Sequence, residues 1–121
     1  IDLELHDIMN EYRNSDYDAV FALDVFEHID PARAHKFIRN LLKCIKETGV
    51  IILGVPSLES QKFSKPNNGH INCMSGIEFK NFLSEFFENV FLFSMNDEVL
   101  HTGMFEMSNY LLAVCTSIKT K

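Results

Sequence analysis

The hydrophobic positions along the chain fall into short runs that predict β-strands. Residues 1–8 alternate in part between apolar and polar side chains, which predicts a short strand. Four later runs are apolar throughout and predict strands of their own: residues 19–23, 50–55, 90–93 and 110–115. A run with no polar member is typical of a strand that is covered on both faces, and we expect this of residues 19–23 in particular.

Two segments between these runs have the spacing of amphipathic helices. Asp30 and Pro31 combine an N-cap acceptor with proline at the first helical position. The apolar face that follows consists of Ala34, Phe37, Ile38, Leu41, Leu42 and Ile45, and Gly49 predicts its end. Ser75 and Glu78 have the spacing of a capping box. The buried face of that second helix is expected to consist of Phe79, Phe82, Leu83, Phe86 and Phe87.

The predicted order is strand, strand, helix, strand, helix, strand, strand. Two βα alternations followed by adjacent strands predict an α/β fold with a mainly parallel sheet and a terminal antiparallel hairpin. A length of 121 residues with 46% hydrophobic residues fits a single domain. We expect the long polar segment 57–74 to be a substrate or lid loop, and residues 116–121 to be a polar tail.

Composition narrows the classes of partner. The net charge of -6 argues against a protein that follows a nucleic-acid backbone, which needs clustered Lys and Arg. The three cysteines are far apart in sequence and suggest neither a disulfide framework nor a zinc site, so we expect a reducing cytoplasm. The apolar runs are too short to span a bilayer. The chain opens on Ile1 in a strand-like segment, as a fragment of a longer domain would.

Ionisable side chains follow directly on the apolar run 19–23. Asp24, Glu27 and His28 come where that strand is expected to stop. In open α/β sheets, ligands bind just outside the carboxyl ends of the parallel strands. These three residues are therefore candidates for a functional site.

Several short motifs together resemble the carboxyl-terminal part of a class I S-adenosylmethionine (SAM)-dependent methyltransferase. They are Tyr17-Asp18-Ala19-Val20, Asp24-Val25-Phe26-Glu27-His28-Ile29, Thr48-Gly49-Val50-Ile51-Ile52, and His70 ahead of the phenylalanine-rich helix. The resemblance implies a Rossmann-like domain that here lacks its first two strands, since none of the glycines forms the family's glycine-rich turn. It is nearest to the small-molecule branch that includes the ubiquinone-pathway enzymes. Residues 93–103 also resemble a bacterial subgroup with no assigned substrate.

The resemblance implies roles at the cofactor for five residues. Asp7 would bind the adenine amino group, and Ile8 would pack on the adenine ring. Ala22, Leu23 and Asp24 would lie under the methionine part of SAM. Two alternatives stay open: Asp7 caps the turn before Asn10, and Asp24 bonds N–H groups near the helix start.

The same family implies a metal site. Ubiquinone-pathway O-methyltransferases and small-RNA 3′-terminal methyltransferases carry Glu-x-x-Glu-His here, and this chain has Asp24-x-x-Glu27-His28, with His70 as a fourth ligand. Such a mixed oxygen and nitrogen set would hold a divalent cation that orients vicinal hydroxyls of an acceptor. In the metal-free alternative, His28 or His70 is a general base. In a structural alternative, Glu27 caps the helix entry, His28 bonds backbone and His70 is a solvated loop residue.

Sequence reasoning therefore predicts SAM-dependent methyl transfer to a small-molecule hydroxyl by in-line displacement, with SAM and a divalent cation as cofactors. We expect neither a nucleic-acid nor a membrane partner. The rival hypothesis is a non-catalytic α/β fragment that serves as a binding or assembly module. An open edge on the strand 19–23 would then allow self-association.

Overall fold

The computed structural model describes residues 1–11 and 16–119, which contain five strands and two α-helices. The strands are β1 (Tyr17–Leu23), β2 (Ile45–Pro56), β3 (Phe87–Asn96), β4 (Val99–His101) and β5 (Tyr110–Ile118). The helices are α1 (Ala34–Leu42) and α2 (Gly76–Leu83). Within the described ranges, no helix is long and apolar enough to cross a membrane.

All five strands form one sheet in the order β1-β2-β5-β3-β4. β1 and β2 are parallel, whereas β5 is antiparallel to both β2 and β3. It follows that β1, β2 and β3 run in the same direction and β5 lies reversed between two of them. The α/β fold with a terminal antiparallel hairpin is thus confirmed. Because β5 is reversed, its first residue, Tyr110, pairs with Pro56 at the carboxyl end of β2.

Aromatic side chains join both helices to one face of the sheet. The ring of Phe26 lies 5.5–5.9 Å from the rings of Phe37, Phe79 and Phe82. In β2, side chains that face the helices alternate with side chains on the other face of the sheet. Ile51 and Leu53 are fully buried under the helices, and the residue between them is partly exposed. The expectation that residues 19–23 are covered on both faces is wrong for the described residues, since Phe21 remains 73% exposed.

Residues 1–8 form no strand. The alternation of Ile1, Leu3 and Leu5 faces solvent, because all three side chains are exposed and no strand pairs with this segment in the described chain. The segment instead ends in a turn in which Asn10 N–H donates to the Asp7 carbonyl oxygen.

The boundary between α1 and β2 also differs from the prediction. The helix ends at Leu42, and β2 begins at Ile45, which pairs with Tyr17 ahead of an irregularity in β1. Gly49 is therefore a strand residue and not a helix stop. A Cβ there would lie 2.9 Å from both Ile45 Cβ and the Lys46 carbonyl oxygen, so glycine permits this close approach.

Two further boundaries shift by a few residues. Phe87, expected in the second helix, is the first residue of β3 and is fully buried. Residues 116–118, expected in the polar tail, belong to β5, and residues 120–121 of that tail lie outside the described residues. The capping box is confirmed: Ser75 Oγ accepts from Glu78 N–H while the Glu78 carboxylate accepts from Ser75 N–H.

Candidate functional site

A single turn of 3₁₀ helix, Phe26–His28, follows β1 and points Glu27 inward and His28 outward. Glu27 is 1% exposed, and His28 is about half exposed. The Glu27 carbonyl oxygen accepts hydrogen bonds from the N–H groups of Ile71 and Asn72, each at 3.0 Å. These bonds attach the end of the 57–74 loop to the turn after β1, and so bring His70 beside Glu27 and His28.

Glu27, His28 and His70 form a cluster in which one potential ligand atom from each residue lies within 4.8 Å of the others. Glu27 Oε1 is 3.6 Å from His28 Nε2. The two imidazole rings meet edge to face, with centroids 5.1 Å apart. The structure thus brings together three of the four predicted metal ligands, including both predicted catalytic histidines.

Hydrogen bonds fix which nitrogen of each imidazole carries the proton. His28 Nδ1 lies 2.7 Å from the Gly69 carbonyl oxygen, and His70 Nδ1 lies 2.9 Å from Gln61 Oε1. Both oxygens only accept, so each Nδ1 donates its proton and each neutral ring keeps a lone pair on Nε2. A carbonyl or amide partner on the far nitrogen is how metal-binding histidines are usually oriented in proteins.

The loop turn that supplies the Gly69 carbonyl is itself closely fitted. Asn67 Oδ1 accepts from Gly69 N–H at 2.9 Å, and the Asn67 carbonyl oxygen accepts from His70 N–H at 3.0 Å. A Cβ on Gly69 would lie 3.1 Å from His28 Nδ1. The Asn-Asn-Gly turn therefore positions both imidazoles from one short segment.

The carboxylate of Glu27 is buried, and one of its two oxygen atoms has no hydrogen-bond partner among the described residues. This atom is Oε2, and the Oε1 atom lies 3.6 Å from His28 Nε2. A buried carboxylate oxygen in this position costs free energy. Burial raises the pKa of the neighbouring Cys73 thiol, and the negative charge of Glu27 raises it further. The cluster thus brings together one buried carboxylate and the Nε2 atoms of two imidazoles.

The fourth predicted ligand, Asp24, does not join this cluster. Its backbone is left-handed (φ 55°), and its N–H donates to the Gly54 carbonyl oxygen at 3.0 Å. Its carboxylate instead accepts a hydrogen bond from the Tyr110 hydroxyl. Asp is one methylene shorter than the Glu found in the family motif, and Tyr110 holds it at the end of β1.

Tyr110 is a site residue that sequence reasoning missed. Its ring crosses Gly54, where an added Cβ would lie only 2.5 Å from the Tyr110 hydroxyl oxygen. Burial, and then the charge of Asp24, raise the pKa of the Tyr110 hydroxyl. The residue lies 86 positions after Asp24 in sequence, and only the reversal of β5 brings the two together.

The predicted cofactor residues divide into two groups. Ile8, Ala22 and Leu23 line one apolar cavity of about 480 Å³ beside β1. Asp7 and Asp24 are not among the residues that line it. The Asp7 carboxylate accepts from Met9 N–H at 2.9 Å and from Asn10 Nδ2 at 2.6 Å, which is the turn-capping alternative. The adenine-binding role of Asp7 stays a prediction.

The structure agrees in part with the alternative in which Glu27, His28 and His70 have only structural roles. His28 does bond backbone, but Glu27 does not cap the helix entry. That role belongs to Asp30, whose Oδ1 accepts from Ala32 N–H at 2.8 Å.

Comparison of the sequence with protein-family models and with curated proteins finds no match. Solved structures do match the fold. The small RNA methyltransferase HEN1 superposes with a TM-score of 0.71 at 16% identity, over 92% of this chain and 15% of HEN1. The complex of DhpI with S-adenosylhomocysteine (SAH) superposes with a TM-score of 0.65 at 14% identity, over 94% of this chain and 53% of DhpI. The DhpI–SAM–HEP complex superposes with a TM-score of 0.62 at 17% identity, over 93% of this chain and 56% of DhpI.

The chain has the fold of a class I SAM-dependent methyltransferase. It spans about a seventh of HEN1 and about half of DhpI. At these identities the likeness shows the methyltransferase fold alone. In that fold, the Glu27–His28–His70 cluster lies at the carboxyl edge of β1 and β2, where ligands of open α/β sheets bind.

Proposed function

We propose that this chain is part of a SAM-dependent methyltransferase that methylates a hydroxyl of a small molecule, with a divalent cation bound by Glu27, His28 and His70. One observation carries the proposal: a buried carboxylate with an unpartnered oxygen faces two histidines whose Nε2 lone pairs are free. A cation bound among these three side chains would give the buried Oε2 atom of Glu27 a partner.

The chemistry of the donor set fits such an ion. Two imidazole nitrogens and one carboxylate suit a transition-metal ion better than magnesium, which prefers oxygen ligands. The Gly69 carbonyl and Gln61 side chain already hold both rings in the required tautomer. When bound, the cation supplies Lewis acidity that lowers the pKa of an acceptor hydroxyl.

The residues of the chain contribute mainly by positioning. In methyl transfer from a sulfonium, the acceptor oxygen attacks the methyl carbon in line as the carbon–sulfur bond breaks. Ile8, Ala22 and Leu23 would pack against the cofactor, and Tyr110 would hold the Asp24 carboxylate beside its methionine part. The loop 57–74 would exclude water above them. In the metal-free alternative, the Nε2 atom of His28 or His70 accepts the acceptor proton.

The charge of the chain supports a small-molecule acceptor, because a net charge of -6 disfavours a nucleic acid. The spacing Asp24-x-x-Glu27-His28 is compatible with the ubiquinone-pathway-like branch but also resembles small-RNA enzymes, and it does not separate the two. The three cysteines form no disulfide within the described residues, which supports a reducing cytoplasm.

Methyl transfer from labelled SAM tests the function. The assay compares the full-length gene product with residues 1–121, each titrated with SAM by calorimetry and then supplied with hydroxyl acceptors with and without chelator. We expect binding and chelator-sensitive transfer in the full-length product. Transfer that chelator leaves unchanged would favour the histidine base over the cation. An absence of SAM binding in both polypeptides would overturn the proposal.

The second candidate, an assembly module, is favoured by the exposed edge of the sheet. β1 is the terminal strand, and Phe21 and Leu23 on it are 73% and 47% exposed. An exposed apolar edge pairs readily with another chain. A polypeptide that self-associates through this strand and binds no SAM at any length would support this candidate.

A further inference from the structure

The face of the sheet opposite to the helices is apolar and is left open by the described residues. The register of the strands places four side chains in one row across this face: Phe21 of β1, Ile52 of β2, Val114 of β5 and Phe91 of β3. The side chains at the two ends of the row remain exposed, Phe21 by 73% and Phe91 by 55%. Ile51 and Leu53, which alternate with this row along β2, are buried under the helices.

The neighbouring rows of the same face also lack charged side chains. Toward the carboxyl edge of β1 and β2, the next row consists of Leu23, Gly54, Leu112 and Phe93. The row after it consists of Pro56, Tyr110, Met95 and Leu100. On the other side of the first row, Ala19 pairs with Val50, and Asn89 pairs with Thr116. These four rows of the described sheet therefore contain no Asp, Glu, Lys or Arg.

The sequence of the central strands indicates that this face is covered. When one face of an antiparallel sheet is open to water, polar residues alternate with apolar residues along its strands. β2 and β5 lack this alternation, since residues 50–55 and 111–115 carry no polar side chain on either face. The helices of the described chain cover one face only. A second molecule on the other face would supply the missing cover.

The exposed area of this face is large enough for a stable interface. An aromatic side chain has about 150–250 Å² of surface, so Phe21 and Phe91 alone expose on the order of 250 Å². Leu23, Leu100 and the partly exposed residues of the rows raise the total to the order of 700 Å², close to the roughly 800 Å² per partner in stable complexes. The largest apolar patch on a monomer is about 300–600 Å². The face is therefore larger than a monomer usually exposes.

The first row matches a second copy of itself, because its two large side chains lie at its ends. In a symmetric dimer whose two-fold axis runs along the strands between β2 and β5, Phe21 of each copy lies opposite Phe91 of the other. In the same dimer, Ile52 lies opposite Val114. Two sheets packed in this way are about 10 Å apart, with strand directions within about 30° of each other. Aromatic pairs then close both ends of the contact, and smaller aliphatic side chains fill its centre.

Charge also favours a second copy. The net charge of -6 makes two copies repel each other over most of their surface. The four rows bring no acidic groups together and leave no charge to be desolvated. A basic partner would find no acidic group on this face, so an equally neutral apolar surface fits it better.

We infer that this face is an interaction surface and that its partner is a second copy of this chain, packed sheet against sheet. The surface is separate from the proposed site, because Glu27, His28 and His70 belong to none of the four rows. It also differs from the exposed edge of β1. In edge pairing, backbone groups of β1 make the contact, and side chains of β3 have no part in it.

Sedimentation velocity of residues 1–121 over a range of protein concentrations tests for this dimer. We expect a monomer–dimer equilibrium. Phe91→Glu should raise its dissociation constant at least tenfold, because the new carboxylate would be buried in the contact. Phe63→Glu is the matched control, since Phe63 is an exposed phenylalanine of the 57–74 loop outside the four rows, and it should leave the constant unchanged. Phe91→Thr keeps a strand-forming residue and provides the same test if the glutamate variant fails to fold.

A sample that mixes isotope-labelled with unlabelled protein identifies the contact itself. We expect nuclear Overhauser effects between the Phe21 ring of one copy and the Phe91 ring of the other. A dimer without these effects would contradict the proposed arrangement.

Three further results would overturn the inference. The first is a chain that stays monomeric at every concentration. The second is an association that Phe21→Lys abolishes and Phe91→Glu leaves unchanged, which would indicate edge pairing through β1. The third is a longer gene product that is monomeric and covers Phe91 with its own residues. None of these results bears on cation binding by Glu27, His28 and His70, so the proposed function stands or falls separately.

Discussion

Replacement of Glu27 by Gln tests the electrostatics of the cluster. Glu27 is 1% exposed, its Oε2 has no partner among the described residues, and its Oε1 faces the His28 Nε2 lone pair at 3.6 Å. Gln has the same shape, carries no charge and can donate an N–H to that lone pair. We therefore expect Glu27→Gln to stabilise the metal-free protein, which is unusual for a substitution in a buried site.

The size of this effect follows from the cost of an unsatisfied buried polar group, about 1–3 kcal/mol. At roughly 4 °C per kcal/mol for a domain of this size, the midpoint of thermal unfolding should rise by roughly 4–12 °C. Added cation should reverse the order of stability, because a ligand at 100 times its Kd contributes about 2.7 kcal/mol to the protein that binds it.

Thermal unfolding of both proteins in chelator, and then in Mn²⁺ or Zn²⁺, measures the two effects. Glu88→Gln, at an exposed position of β3, controls for the loss of one negative charge. A Glu27→Gln variant that is less stable than wild type in chelator would refute the reasoning about the unpartnered carboxylate. Equal stabilisation of both proteins by the cation would show that Glu27 is not a ligand.

Three further outcomes are expected. Gly54→Ala should cost about 1–3 kcal/mol in urea unfolding, because the new Cβ would lie 2.5 Å from the Tyr110 hydroxyl oxygen; no measurable cost would contradict this packing. Hydrogen bonds from Ser75 lower the pKa of the Glu78 carboxyl from its usual value of 4.5. The stability that Glu78 adds relative to Glu78→Gln should therefore be fully present above pH 4.5 and decline as the pH falls through the lower pKa of the folded protein. A stability difference that does not depend on pH would contradict this. Phe21→Lys should reduce any self-association seen by sedimentation velocity, and an unchanged association constant would place the contact elsewhere.

Local signals allowed much of the fold to be predicted. The Ser75 and Glu78 capping box acts within four residues, and its geometry depends little on the rest of the chain. The approach of Glu27, His28 and His70 could also be predicted, although 42 positions separate the last two, because each follows a parallel strand at the same edge.

The features that were missed depend on contacts distant in sequence. Ile45 continues the apolar face of α1, and only its pairing with Tyr17 assigns it to β2. The alternation in residues 1–8 lacks a partner strand in the described chain, so its pattern alone could not decide its conformation. The hydrogen bond from Tyr110 to Asp24 requires both the reversal of β5 and a glycine at position 54. Nothing in the sequence around Asp24 indicates that Tyr110 is its partner.

The central claim is that Glu27, His28 and His70 bind a divalent cation in a methyltransferase site. Calorimetric titration of Mn²⁺ into chelator-treated protein tests it most directly, with His28→Ala, His70→Ala and the control His35→Ala, whose imidazole pairs with Glu85 between the helices. We predict one cation per chain in wild type and His35→Ala, and at least a tenfold weaker affinity in the other two variants. The absence of binding in wild type, or equal affinity in all four proteins, would contradict the claim.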